Sequence, residues 1–297
     1  MSLLNTTNDG LHNVLVAFCR LLIVAKGESA EADLMRKIAL PSIAHENGRL
    51  ARSTLNKWVD LGLLIRDDEK IRLSEYFPRS WKAMAEDIEG TVRRAARKCA
   101  LSAVNNDQLW AYEASRAADF TRALSLLLAQ DIYRTGFADL ERCEIDQVSE
   151  SNLRLLGNGT RTNGLKKWAH FLGFLRNTDG KEIDPTVAVR ESIEWMPLGQ
   201  RVQAHEFLAR LASDLPVLDG GQYRLAVEEK LDPSALVLPQ GEQLSTSLSR
   251  ALICLKADGT LGFEFLSDAA SGMIFCGQNG PRVDVRYTHV TRLERHK

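Results

Sequence analysis

Between Arg49 and Leu73 the spacing of apolar and polar positions changes period twice. Leu55, Trp58, Val59 and Leu61 recur at helical intervals, and Gly62 stands where a helix-ending residue belongs. Leu63, Leu64 and Ile65 form a short apolar run, Arg66 to Lys70 make a polar turn, and Ile71-Arg72-Leu73 alternates. This pattern predicts a helix followed directly by a β-hairpin. A degenerate second copy runs from Leu165 to Leu175. Both copies read Leu-x-Lys-Trp, then an apolar-ended helix, then glycine and two large apolar residues, with one extra residue between Trp168 and Gly173.

Around these two phrases the periodicity predicts a mostly helical chain. Gly10 to Ala25 is dense in apolar residues and forms a buried first helix, with Asn8 or Asp9 as its cap. Ser29 to Leu40 is a second helix that Pro41 closes, and residues 42–48 connect it to the Trp58 helix. Tyr76 to Arg142 reads as helical, including a long core helix from Trp110 to Phe137. Leu175 to Pro185 reads as a hairpin turning at Asp179-Gly180, followed by helices over Thr186–Trp195 and Leu198–Leu215. Val217 to Val227 reads as a further hairpin around Asp219-Gly220-Gly221, and Pro233 to Gly241 as a linker. A helix over Leu244–Lys256 and strands at 262–266, 273–276 and 283–287 complete the chain, with a basic, frayed stretch from Thr288 to Lys297.

The fold class is therefore mainly α with small β-hairpins, α+β overall. Four segments are expected: a helix-and-hairpin unit over residues 1–80, a helical bridging segment over 81–150, a second helix-and-hairpin unit over 151–235, and a small α+β unit over 236–297. A chain of 297 residues is long enough for two or three separate cores.

Composition narrows the function. The net charge of −1 argues against a generic polyanion binder, although residues 49–82 hold eight Lys or Arg against five acids. Five scattered cysteines form no CxxC pair, so buried reduced thiols are expected rather than a zinc site. No run of about eighteen apolar residues suggests a membrane span, and no basic-then-apolar start suggests a secretory signal. A cytoplasmic protein with no cofactor, no metal and no membrane partner is expected.

The first unit supplies the candidate site. The early residues of its third helix and its hairpin carry Asn47, Arg49, Arg52, Ser53, Thr54, Asn56, Lys57, Lys70 and Arg72. Arg and Asn suit bidentate contacts to base edges, and Lys57, Lys70 and Arg72 suit phosphates. The plainer reading is a solvated face on a helix packed by Leu55, Trp58 and Leu61, and Asp67-Asp68-Glu69 at the hairpin tip disfavours phosphate. The basic run Arg93-Arg94 and Arg97-Lys98 is expected to be a solvated face. No protease, hydrolase, Walker or kinase motif occurs, so no catalytic residue is assigned. Asp219, Glu228 and Lys230 have the spacing of a metal-dependent nuclease, but Asp-Gly-Gly is also what a hairpin tip requires.

The two Trp helices with their hairpins resemble the winged helix-turn-helix superfamily, over Leu11–Leu73 and more loosely over Asn163–Leu231. That resemblance implies tandem winged-helix-like units and DNA binding, with protein interaction as the main exception. The stretches LLNTTNDGLHNVLVAF, LNKWVDLGLL and KKWAHFLGFL are similar to the DpdG-like accessory proteins of bacterial phage-defence and DNA-modification islands. This resemblance implies non-enzymatic support of a multi-protein restriction complex. Two functions follow: a subunit or regulator that binds duplex DNA through the Arg49–Lys57 helix, or an adaptor whose winged helices bind other subunits. A homo-oligomer fits either.

Overall fold

The computed structural model describes residues 3–4, 12–38, 48–110, 116–157, 159–176, 182–267, 269 and 271–294. It opens with α1 (His12–Ala25), β1 (Glu28–Ala30), α2 (Glu31–Ile38), α3 (Arg49–Asp60), β2 (Leu64–Asp67) and β3 (Lys70–Leu73). Helices α4 (Trp81–Glu86), α5 (Ile88–Ala100), α6 (Ala103–Asn106), α7 (Ala118–Ala129), α8 (Leu140–Gln147) and α9 (Gly159–Phe171) follow. The remainder comprises β4 (Leu175–Arg176), β5 (Glu182–Ile183), α10 (Thr186–Ser192), β6 (Arg201–Gln203), α11 (Ala204–Asp214) and α12 (Gln222–Glu228). It ends in α13 (Thr246–Ala257), β7 (Leu261–Glu264), β8 (Met273–Gly277), β9 (Gly280–Tyr287) and β10 (His289–Arg292). Helices with small antiparallel sheets make this an α+β protein, in line with the sequence reading.

The chain forms two compact units, each discontinuous. The first holds residues 1–120 and 159–172, the second 121–158 and 173–297.

In the first unit α1 explains its own composition. It packs against α2, α3, α4, α5 and α9, and Leu15, Phe18, Cys19, Leu22 and Ile23 are buried. A helix with so many neighbours needs apolar residues on most of its circumference. Helix α5 can approach closely because its buried side carries Ala95, Ala96, Cys99 and Ala100. Burial without charge to favour the thiolate pushes the Cys99 thiol up to about 12, as befits an unreactive core residue. Beside it, Asn105 donates from Nδ2 to the carbonyls of Leu61 at 2.9 Å and Cys99 at 2.8 Å. A three-stranded sheet in the order β1-β3-β2 completes this part, pairing Ser29 with Ile71 and Arg66 with Ile71.

In the second unit α13 packs against α10, β7 and β8. Its start is fixed by Ser245, which accepts from the Leu248 amide and donates through Oγ to Asp219 at 2.6 Å. Glu144 is buried and accepts from the backbone amides of Leu155 and Leu156, each at 2.7 Å. Burial nevertheless holds its carboxyl above the usual range, against the lowering effect of those two amides. A second three-stranded sheet has the order β6-β10-β7.

The structure changes several sequence-based elements. Ser29 lies in β1, and the second helix begins only at Glu31. The expected hairpin over Val217–Val227 is instead a turn and helix α12. Tyr223, Arg224 and Val227 point inward at helical spacing, and Gly221 comes so near Pro216 that a Cβ would lie 2.4 Å from its carbonyl oxygen. Leu198–Leu215 is β6 followed by α11. The core helix expected over Trp110–Phe137 is helical only over α7 among the described residues. The stretch from Thr288 is not simply a frayed end: β10 is the central strand of its sheet and Val290 is fully buried. Asp179-Gly180 lies outside the described residues, although β4 and β5 on either side pair as expected.

Candidate nucleic-acid interface

Helix α3 is amphipathic by construction. Ala51, Thr54, Leu55, Lys57 and Trp58 are buried, while Arg49, Arg52, Asn56 and Asp60 are exposed and Ser53 is half-buried. Its end is built from backbone: the Gly62 amide donates to Val59 at 2.9 Å and the Leu63 amide to Trp58 at 3.0 Å. This reversal requires a left-handed residue, and Gly62 has φ +81°. It redirects the chain into β2 across only Leu61, Gly62 and Leu63. The hairpin then turns at Asp68-Glu69, with Asp68 at φ 49°.

Eight of the nine candidate residues divide three ways, and the ninth, Lys70, is held in an ion pair. Arg49, Arg52, Ser53 and Asn56 share the outward side of α3, and Arg72 is exposed on β3. Arg52 and Arg72 have no ion-pair or hydrogen-bond partner among the described residues. Thr54 and Lys57 belong to the core side. Thr54 is fully buried with its Oγ1 donating to the Leu50 carbonyl at 2.8 Å, and Lys57 is 3% exposed. Asn47 lies outside the described residues.

The hairpin's charges are partly spent within the unit. Arg66 donates to Asn56 Oδ1 at 2.6 Å and pairs with Glu31 at 2.8 Å. Lys70 pairs with Glu28 across the sheet, which raises its ammonium above the usual lysine range. Asn56 therefore offers its amide in an orientation held by Arg66. No sequence pattern signals this network, because β1, which presents Glu28, has too few residues to show a period.

The remaining basic run is not a uniform solvated face. Arg94 pairs with Asp87 at 3.3 Å and Lys98 is exposed, but Arg97 is buried and donates to the Leu172 carbonyl at 2.9 Å. There it ties α5 to the end of α9.

The nuclease-like trio is occupied with structural contacts. Asp219 holds the Ser245 cap, Glu228 pairs with the buried Arg224, and Lys230 pairs with Glu150 at 3.2 Å. Among the described residues no group of three or more His, Cys, Asp or Glu is arranged to hold a metal ion. No described helix is long and apolar enough to cross a membrane.

A family model described as DpdG-like matches residues 1–269. Nothing matches the chain among curated proteins or among solved structures.

Proposed function

The chain belongs to the DpdG-like family, and from that premise we propose that it is a non-enzymatic, cytoplasmic DNA-binding subunit or regulator of a multi-protein DNA-modification and restriction complex. The observation that carries this reading is the single outward face formed by Arg49, Arg52 and Asn56 on α3, next to a hairpin bearing the unpaired Arg72. The order α1-β1-α2-α3-β2-β3, with sheet order β1-β3-β2, supports a winged helix-turn-helix whose third helix enters the major groove. Arg52 and Asn56 then face base edges, and Arg49 and Arg72 face phosphates. Lys57 and Thr54 hold the helix to its core.

The test is duplex binding by fluorescence anisotropy across a salt series. An Arg49→Glu/Arg52→Glu variant should bind at least about tenfold more weakly at low salt and show a shallower salt dependence. Equal binding by variant and wild type at every salt would remove α3 as the reading element. Lys57 is left intact, because reversing a buried charge would test folding instead.

The second reading, an adaptor that docks on partner subunits, is favoured by one feature. The ion pairs Lys70–Glu28 and Arg66–Glu31 neutralise much of the hairpin, and Asp67, Asp68 and Glu69 are exposed at its tip. On that reading, the charge-reversed variant loses co-purifying subunits while DNA affinity is unchanged.

A further inference from the structure

The segment from β3 to α4 lines an open cavity of about 570 Å³, which shares Arg72 with the reading above and is otherwise unused by it. This size falls in the range of small-molecule sites. Its lining includes the buried Phe77 and Met84 and the half-buried Trp81. Arg72 and Arg79 also line it, both exposed and neither with a hydrogen-bond or ion-pair partner among the described residues. Glu75 is the one carboxylate in the lining, so the guanidinium groups outnumber it.

The lining also includes one buried serine. Ser74 lines the cavity at 7% exposure, and its Oγ is buried with no hydrogen-bond partner. Its backbone is already committed: the amide donates to Leu63 and the carbonyl accepts from Phe77. The Oγ itself is closed to solvent, so it lies in the wall beneath the cavity rather than on its open surface.

An aromatic side chain, apolar neighbours and two forked cations in one lining match a planar ring joined to an anion. We propose that this cavity binds a nucleoside monophosphate group, with the base against Trp81 and the phosphate between Arg72 and Arg79. Base–aromatic stacking supplies the sequence-tolerant part of the affinity, and bidentate guanidinium contacts supply the phosphate selectivity. The group belongs either to a free nucleotide or to the phosphorylated end of a DNA strand. Neither source requires α3 to touch a duplex.

Calorimetric titration of the full chain separates the possibilities. The probes are deoxyadenosine monophosphate, deoxyadenosine, inorganic phosphate, and one oligodeoxynucleotide with and without a 5′-phosphate. The monophosphate should bind at least about tenfold more tightly than either deoxyadenosine or phosphate alone. Arg79→Ala should weaken it by about tenfold, and Trp81→Leu by a similar factor. Both variants are checked for an unchanged thermal midpoint, and Arg79→Lys should recover only part of the loss, because an ammonium cannot make the forked contact. Competition by the 5′-phosphorylated oligonucleotide but not its unphosphorylated form assigns the site to strand ends; no competition assigns it to free nucleotide. Absence of monophosphate binding up to millimolar concentration overturns the proposal. So does binding that inorganic phosphate matches and Trp81→Leu leaves unchanged. The Arg49→Glu/Arg52→Glu variant should keep the nucleotide site, so failure of one reading is visible separately from failure of the other.

Discussion

Helices α3 and α9 carry the same phrase, Leu-x-Lys-Trp, in their second halves and end in different circumstances. Trp58 is fully buried and Trp168 almost so, and their rings meet edge to face with centroids 5.0 Å apart. The tryptophans of the two copies are thus each other's packing partners in one core. The lysines before them diverge: Lys57 is buried and Lys167 is exposed. The hairpin after α3 belongs to a three-stranded sheet of the same unit, whereas β4 and β5 after α9 belong to the second unit. A repeated motif therefore fixes a helix and its buried ring without fixing the surroundings. Only α3 keeps an arginine-bearing outward face beside its own hairpin.

The largest expected effect tests whether the two rings are equivalent. Trp58→Ala and Trp168→Ala should each cost about 3–5 kcal/mol in chemical denaturation, as buried aromatic truncations do. Because the rings touch, the double variant should lose less than the sum, by roughly 0.5–1.5 kcal/mol. Strict additivity would mean that the tryptophans stabilise the unit independently.

Next in size is the divergence of the lysines. Lys57→Ala should cost about 1–3 kcal/mol, because it empties space inside a packed face. Lys57→Met, which keeps most of the stem, should recover much of that. Lys167→Ala should stay within roughly 0.5 kcal/mol of wild type. Equal effects at the two positions, read from urea midpoints, would contradict the difference in burial.

The smallest effect concerns the far end of α9. His12 stacks on Phe171 at 5.1 Å, and burial holds its imidazole below the ordinary range. His170 and Lys167 push in the same direction and Glu89 opposes them. The unfolded chain therefore takes up this proton more readily than the folded one. The contribution to stability is present above the ordinary imidazole value of about 6.5 and declines as pH falls through it towards the folded value. Urea midpoints measured at mildly acid and mildly alkaline pH should differ less in a His12→Phe variant than in wild type. An unchanged pH slope would show that His12 is not the responsible group.

Much of the first unit was legible because its signals are local. The helical spacing of Leu55 and Trp58, the stop at Gly62 and the polar turn before Ile71 each depend on a few neighbouring residues. Lys57 is illegible for a related reason: its type indicates solvent, and only the position of Thr54, Leu55 and Trp58 around the helix shows that it turns inward. Residues 217–227 failed differently. Asp-Gly-Gly suits a hairpin tip, but the inward spacing of Tyr223, Arg224 and Val227 fits a helix, and packing decided between them. The strand β10 was hidden because the polar and basic residues around Val290 read as a terminus. The Ser74 cavity had no sequence signal, since it depends on the path of the chain between β3 and α4.

The split membership of the first unit has a consequence for synthesis. Trp58 and Trp168 are separated by 110 residues. At translation rates of about 5–20 residues per second, the face of α3 that carries Trp58 waits roughly 5–20 seconds for its aromatic partner. During that interval the nascent amino-terminal segment can form α1, α3 and their sheet, but the ring surface that Trp168 will cover stays open to water or to a chaperone. The first unit is therefore begun early on the ribosome and closed only after Thr121–Asn158, a stretch of the other unit, has already emerged.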